Sequence, residues 1–153
     1  MPANVNPRSR PPIDPAGFDL SFFPALLFRT DHSNDDAWDE ILDELAETEY
    51  GTVDVHAITG PAWEGATVDE ILAAMPPRAQ SPVVVYVADR TTVTTAGCPL
   101  LVVDLRAQAE GPREVRMEAG SVSLFHGNLA ISNIGFWDLL EKAALEPDGI
   151  IRD

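Results

Sequence analysis

The chain has 153 residues, 45% apolar and 23% charged, with a formal net charge of −15. That length suits one globular domain with a core of its own, and the negative field disfavours nucleic-acid phosphates and anionic lipid as partners. No apolar run approaches the roughly 20 residues of a membrane-spanning helix.

Residues 1–18 hold five prolines (Pro2, Pro7, Pro11, Pro12 and Pro15) and two arginines. Such a stretch buries too little to order itself, so a flexible tail is predicted ahead of a single domain over residues 19–153. Docking of Phe18, Phe22 or Phe23 ends the tail. The start lacks the apolar core of a secretion signal, and a cytoplasmic protein is expected.

Ala25 to Phe28 is a short apolar run, the length of a buried strand. Ser33 and Asp36 give an S-x-x-D pattern, so a helix should start near Asn34. Trp38, Ile41, Leu42 and Leu45 form its apolar stripe. Asp36, Asp39, Glu40, Asp43, Glu44 and Glu47 occupy the rest. Between Asp31 and Asp54 the chain places ten carboxylates and no Lys or Arg. Like charges four residues apart weaken a helix, so the apolar stripe must hold it.

Residues 52–58 alternate as a half-buried strand, with Val53, Val55 and Ala57 inward. Thr67 and Glu70 form a capping box for a helix carrying Val68, Ile71, Leu72 and Met75, and Pro76-Pro77 ends it. Residues 83–88 and 100–103 are apolar throughout, as strands are when covered on both faces. The segment between them is too short for a standard crossover helix, so the two strands are antiparallel or not adjacent.

Further on, Val115 to Met117 reads as a strand, Gly120 to Gly127 as a short helical turn, and Leu129 to Ile131 as a brief strand. Asn133 is placed to cap a last helix with Phe136, Leu139, Leu140 and Ala143 inward, stopped by Pro147. Trp38, Trp63 and Trp137 are assigned to the core. The order of elements predicts an α/β or α+β fold, with a central mixed sheet of four to six strands and helices on its faces.

Three strand ends pair an Asp with an Arg: Arg29 with Asp31, Asp89 with Arg90, and Asp104 with Arg106. If those strands were parallel neighbours, the carboxylates would converge at one edge, where open α/β sheets bind ligands. Oxygen clusters of that kind hold Mg²⁺, and arginines beside them hold phosphate. Other reactive centres find little support. Cys98 lacks a neighbouring cation and reads as a small, semi-buried filler. His32, His56 and His126 lack zinc spacing and read as surface or hydrogen-bonded residues. No G-x-S-x-G elbow or glycine-rich phosphate loop occurs. A receiver-type phosphoacceptor role for Asp89 fails because the single lysine, Lys142, lies inside the last helix.

The blocks LLFRTDHSNDDAW (26–38), VVYVADRTT (84–92), LLVVDL (100–105) and NLAISNIGF (128–136) together resemble a small bacterial domain family of unknown function. The resemblance spans residues 25 to 152. It implies a compact bacterial domain with no assigned activity, and it singles out Arg29, Asp31, Trp38, Asp89, Arg90, Asp104 and Asn133 as motif positions.

Taken together, these features predict a non-catalytic module without a cofactor, similar to an immunity protein or inhibitor, that meets a basic protein through its acidic helix. The rival is a divalent-metal or phosphate enzyme built on Asp31, Asp89 and Asp104, with Arg29 and Arg90 holding the anion. A third reading is an accessory subunit tethered by the Pro/Arg tail.

Overall fold

Strand residues that are apolar on both sides need a cover on each side, and that requirement sets the architecture. In a computed structural model, which describes residues 10–46, 53–106 and 113–152, the elements in chain order are β1 (Ala25–Arg29), α1 (Asp35–Ala46), β2 (Val55–Ile58), α2 (Val68–Ala74), β3 (Val84–Ala88), α3 (Arg90–Thr94), β4 (Pro99–Asp104), β5 (Glu114–Glu118), α4 (Val122–Ala130), α5 (Phe136–Ala144) and β6 (Ile150–Ile151). They build a six-stranded mixed sheet in the order β2-β1-β3-β4-β5-β6. β2 and β3 run parallel to β1, β4 is antiparallel to both its neighbours β3 and β5, and β6 is parallel to β5. The fold is α+β with a mixed sheet, as the sequence leads one to expect.

The two faces separate by strict alternation along the strands. Leu27, Tyr86, Leu100 and Val102 point to one side and pack with Trp38, Ile41, Val122, Phe125 and Leu139 from α1, α4 and α5. Leu26, Phe28, Val85, Val87, Leu101 and Val103 point to the other, where Trp63 and the α2 residues Ile71 and Ala74 cover them. The first crossover helix thus lies on one face and the second on the other. With β2 and β3 flanking β1, the winding direction reverses between β1 and β3. Their carboxyl ends form the switch point at which open sheets leave a crevice.

Several local details differ from the sequence reading. Asn34, not Ser33, caps α1: its Oδ1 accepts from the Ala37 amide at 3.0 Å. The segment between β3 and β4 contains the five-residue helix α3, capped reciprocally by Asp89 and Thr92. Residues 129–131 are not a strand. Leu129 and Ala130 are the last turn of α4, because Val122, Phe125, His126 and Leu129 are buried at helical spacing on one face. Asn133 does not cap α5. Its amide nitrogen donates to Asn128 Oδ1 at 3.0 Å, and the Asp138 carboxylate accepts from the Gly135 amide at 2.8 Å instead. Trp137 is not in the core but 66% exposed. Phe136, Leu139, Leu140 and Ala143 take the inner face of α5, which turns its neighbour outward. Ala57 is exposed because β2 is an edge strand.

The T67-x-x-E70 capping box is present as expected. Trp38 and Trp63 are buried. Ahead of β4, Gly97 has φ +84°, a left-handed conformation that favours glycine, and a Cβ there would also meet the Glu118 carboxylate.

Of the segment expected to be a flexible tail, residues 1–9 lie outside the described residues. Residues 10–18 run across the α2 face. The Arg10 guanidinium donates to the carbonyls of Ala62 and Glu64 at 3.1 Å each, and the Ile13 amide donates to Ala74 at 2.8 Å. Phe18 packs on the second cluster, while Phe22 and Phe23 stay exposed. Among the described residues no helix is long and apolar enough to cross a membrane.

The burial pattern on α5 is testable. Leu139→Ala should cost about 2–5 kcal/mol of unfolding free energy in urea titrations. Trp137→Ala should change it by no more than ~0.5 kcal/mol. Equal effects of the two substitutions would mean that the helix is rotated from the orientation described.

Candidate functional site

The carboxyl edge of β1 and β3 gathers most of the strand-end residues. Arg29 ends β1 almost fully buried. Its guanidinium lies 5.0 Å from the Trp38 ring and its Nη2 donates to Asp35 Oδ1 at 2.7 Å, while its Nε is buried without a hydrogen-bond partner. Asp31 closes a local turn by accepting from the Ser33 amide at 2.9 Å. The Ser33 hydroxyl and amide, with the Arg90 charge behind them, hold its carboxyl below the ordinary range.

Asp89 is gripped from across the sheet. Arg116 on β5 reaches past β4 and donates to both carboxylate oxygens, at 2.8 and 2.7 Å. The Thr92 amide adds a bond at 3.2 Å. Burial alone would raise the Asp89 pKa, but the Arg116 pair and the Thr92 bonds outweigh it and hold the carboxyl below its usual value. The Thr92 hydroxyl donates to the Pro99 carbonyl at 2.8 Å and so joins α3 to β4. Arg90 stands exposed at the start of α3.

Asp104 is elsewhere. β3 and β4 are antiparallel, and Asp104 lies opposite Val84 at the start of β3, a strand length away from Asp89. The sheet therefore brings Arg29, Asp31, Asp89 and Arg90 to one edge and sends Asp104 to the other. The three-carboxylate site does not assemble. Among the described residues no group of three or more His, Cys, Asp or Glu side chains is arranged to hold a metal ion.

The acidic helix has the opposite character. Asp36, Asp39, Glu40, Asp43 and Glu44 are all exposed and together line an open groove of about 490 Å³ on α1. Glu47 lies outside the described residues. Among the described residues none of these five forms an ion pair, whereas Arg10, Arg29, Arg113, Arg116 and Arg152 pair with acids elsewhere. Beneath the groove the buried Cys98 thiol points to Glu40 Oε2 at 3.6 Å. Burial and the Glu40 charge push that thiol up to about 11, which leaves it protonated and inert at neutral pH.

A family model described as "Domain of unknown function (DUF6924)" matches residues 24–153. The chain belongs to this family. No curated protein matches it. The family unit begins one residue before β1 and contains the whole sheet, so both the strand-edge cluster and the acidic helix face are parts of the domain itself. The segment that runs across α2 stands before it.

One buried polar relay escaped sequence reasoning. His126 on α4 places Nε2 2.8 Å from the Phe23 carbonyl and Nδ1 2.8 Å from the Tyr86 hydroxyl. A carbonyl only accepts, so Nε2 carries the proton and Nδ1 accepts from the phenol. Tyr86 is buried, which pushes its own pKa up. The only signal for the relay was the helical spacing of Val122, Phe125, His126 and Leu129, which a strand assignment at residues 129–131 hides. The other two histidines also serve local structure. His32 Nδ1 pairs with Glu64 while its Nε2 accepts from the Gly60 amide, and the His56 ring meets Phe18 edge-on.

Two outcomes follow. Asp89→Ala leaves Arg116 without its carboxylate and should lower the unfolding free energy by about 2 kcal/mol, read from urea titration. For His126, burial lowers the pKa from 6.5, with the Phe23 carbonyl and the Asp54 charge acting against that shift. The unfolded chain then takes up the proton first, so the contribution is complete above about pH 6.5 and is lost as pH falls toward the folded pKa. The urea midpoint should drop between about pH 7 and pH 5, and His126→Gln should flatten that part of the profile. An unchanged pH dependence in the variant would remove His126 from the account.

Proposed function

We propose that this domain is a non-catalytic binding module that captures a protein with a basic surface, in the manner of an immunity protein or inhibitor. The observation that carries this reading is the outer face of α1. Five carboxylates stand there exposed and unpaired among the described residues, on a helix anchored from below by Trp38, Ile41 and Leu45. Unpaired like charges on one helix repel one another. A basic partner relieves that repulsion on docking, and complementary fields raise the encounter rate. The strand-edge residues favour the same conclusion by contrast. Arg29, Asp31 and Asp89 are each engaged in holding a turn, a helix start or a neighbouring strand.

The test compares two variants with the same change in net charge. Asp39→Lys with Asp43→Lys reverses the α1 face, and Glu114→Lys with Glu141→Lys reverses exposed acids elsewhere. A partner captured by the full chain at ~0.05 M salt, then purified and re-bound, should lose on the order of tenfold in affinity by ~0.5 M salt. It should be lost by the α1 variant and kept by the control. Equal loss in both variants reduces the effect to bulk charge and refutes a specific α1 face.

A further inference from the structure

On the side of the sheet away from α2, a cavity of about 110 Å³ opens between the segment before β1, the start of β3 and the last turn of α4. Its walls are mainly apolar, including Leu20, Phe23, Pro24, Pro82, Val83 and Ala130. Cavities of this order, about 150 Å³ in one engineered case, accept a single benzene-sized ring.

The polar groups in the wall are nearly all engaged. The Ser81 hydroxyl donates to the Pro76 carbonyl at 2.8 Å. Both ring nitrogens of His126 are occupied by the Phe23 carbonyl and the Tyr86 hydroxyl. Arg106 is the exception. It lines the cavity just past the end of β4, its backbone amide donates to Asp104 Oδ1, and its guanidinium makes no hydrogen bond or ion pair among the described residues. In the wall itself Phe23 is 45% exposed, and Phe22 and Ile131, the chain neighbours of the lining residues Phe23 and Ala130, are 70% and 59% exposed.

A small apolar hollow with one free guanidinium at its rim selects a ligand with a compact apolar body and one anionic head. We infer that this cavity is a binding site for small aromatic or alicyclic carboxylates, with Arg106 holding the carboxylate and Phe23, Pro24 and Ala130 enclosing the ring. The global negative charge opposes anions at long range. Screening confines that opposition to about 8 Å at physiological salt, so the local guanidinium decides at contact. The site lies apart from the outer face of α1 and does not depend on the function proposed for that face.

Benzoate and its neutral isostere benzamide are the probes. In amide-resolved NMR titrations of the full chain, benzoate should shift Phe23, Val83, His126 and Ala130 in a saturable way, with benzamide weaker by about tenfold. Arg106→Gln should abolish the difference between the two compounds. Because Arg106 is exposed, that variant folds regardless of the cavity's fate. Ala130→Leu, which fills the hollow, should remove the benzoate shifts altogether. Shifts scattered over the surface, a benzamide response equal to that of benzoate, or a discrimination that survives Arg106→Gln would each overturn the assignment.

Discussion

Two-sided burial of β1 and β3 is the constraint on which the rest of this structure depends. Leu26, Leu27, Phe28, Val85 and Tyr86 are all essentially inaccessible, and successive residues along each strand face opposite layers. Neither face can be left to water, so the crossovers must go to opposite sides of the sheet. That choice puts α1 on one face and α2 on the other, and it makes the carboxyl edge of β1 and β3 the place where the winding reverses. The antiparallel half of the sheet, β4 and β5, extends the same two layers, and α4 and α5 complete the cover on the α1 side.

That edge shows how a fold can use polar residues as scaffold where a sequence pattern suggests chemistry. Arg116 crosses from β5 to hold Asp89, and Asp89 in turn holds the start of α3. Arg29 lies against Trp38 and fixes Asp35 at the first turn of α1. A carboxylate held by a bidentate guanidinium is a poor metal ligand and a poor base, because the pair stabilises its ionised form and fills its lone pairs. Exposed charges without an ion pair among the described residues include Arg90 at that same edge, the acids of the α1 surface and Arg106 beside the cavity.

The last two places differ in kind. The α1 face is a wide, open groove, hydrophilic and of one sign. The cavity beside Phe23 and Ala130 is smaller and mainly apolar, with Arg106 in its wall. Between them lies the first-face core of Trp38, Tyr86, Val122 and Leu139. His126 sits at the junction, since it holds the segment before β1 against α4 and stands in the cavity wall.

Local and periodic features were legible in the amino-acid order alone. Apolar runs located β1, β3 and β4. The Trp38-to-Leu45 stripe located α1 and its acidic exterior, and the Thr67 and Glu70 pair located the start of α2. These signals lie within one element, so nearest-neighbour chemistry carries them. What lay between elements required the tertiary structure. Strand direction set Asp104 a strand length from Asp89. The rotation of α5 exposed Trp137, and the grip of Arg116 on Asp89 joins positions 27 residues apart. The physical reason is that direction, rotation and partner choice minimise the free energy of the packed whole, and no short window of sequence contains the groups that compete for those places.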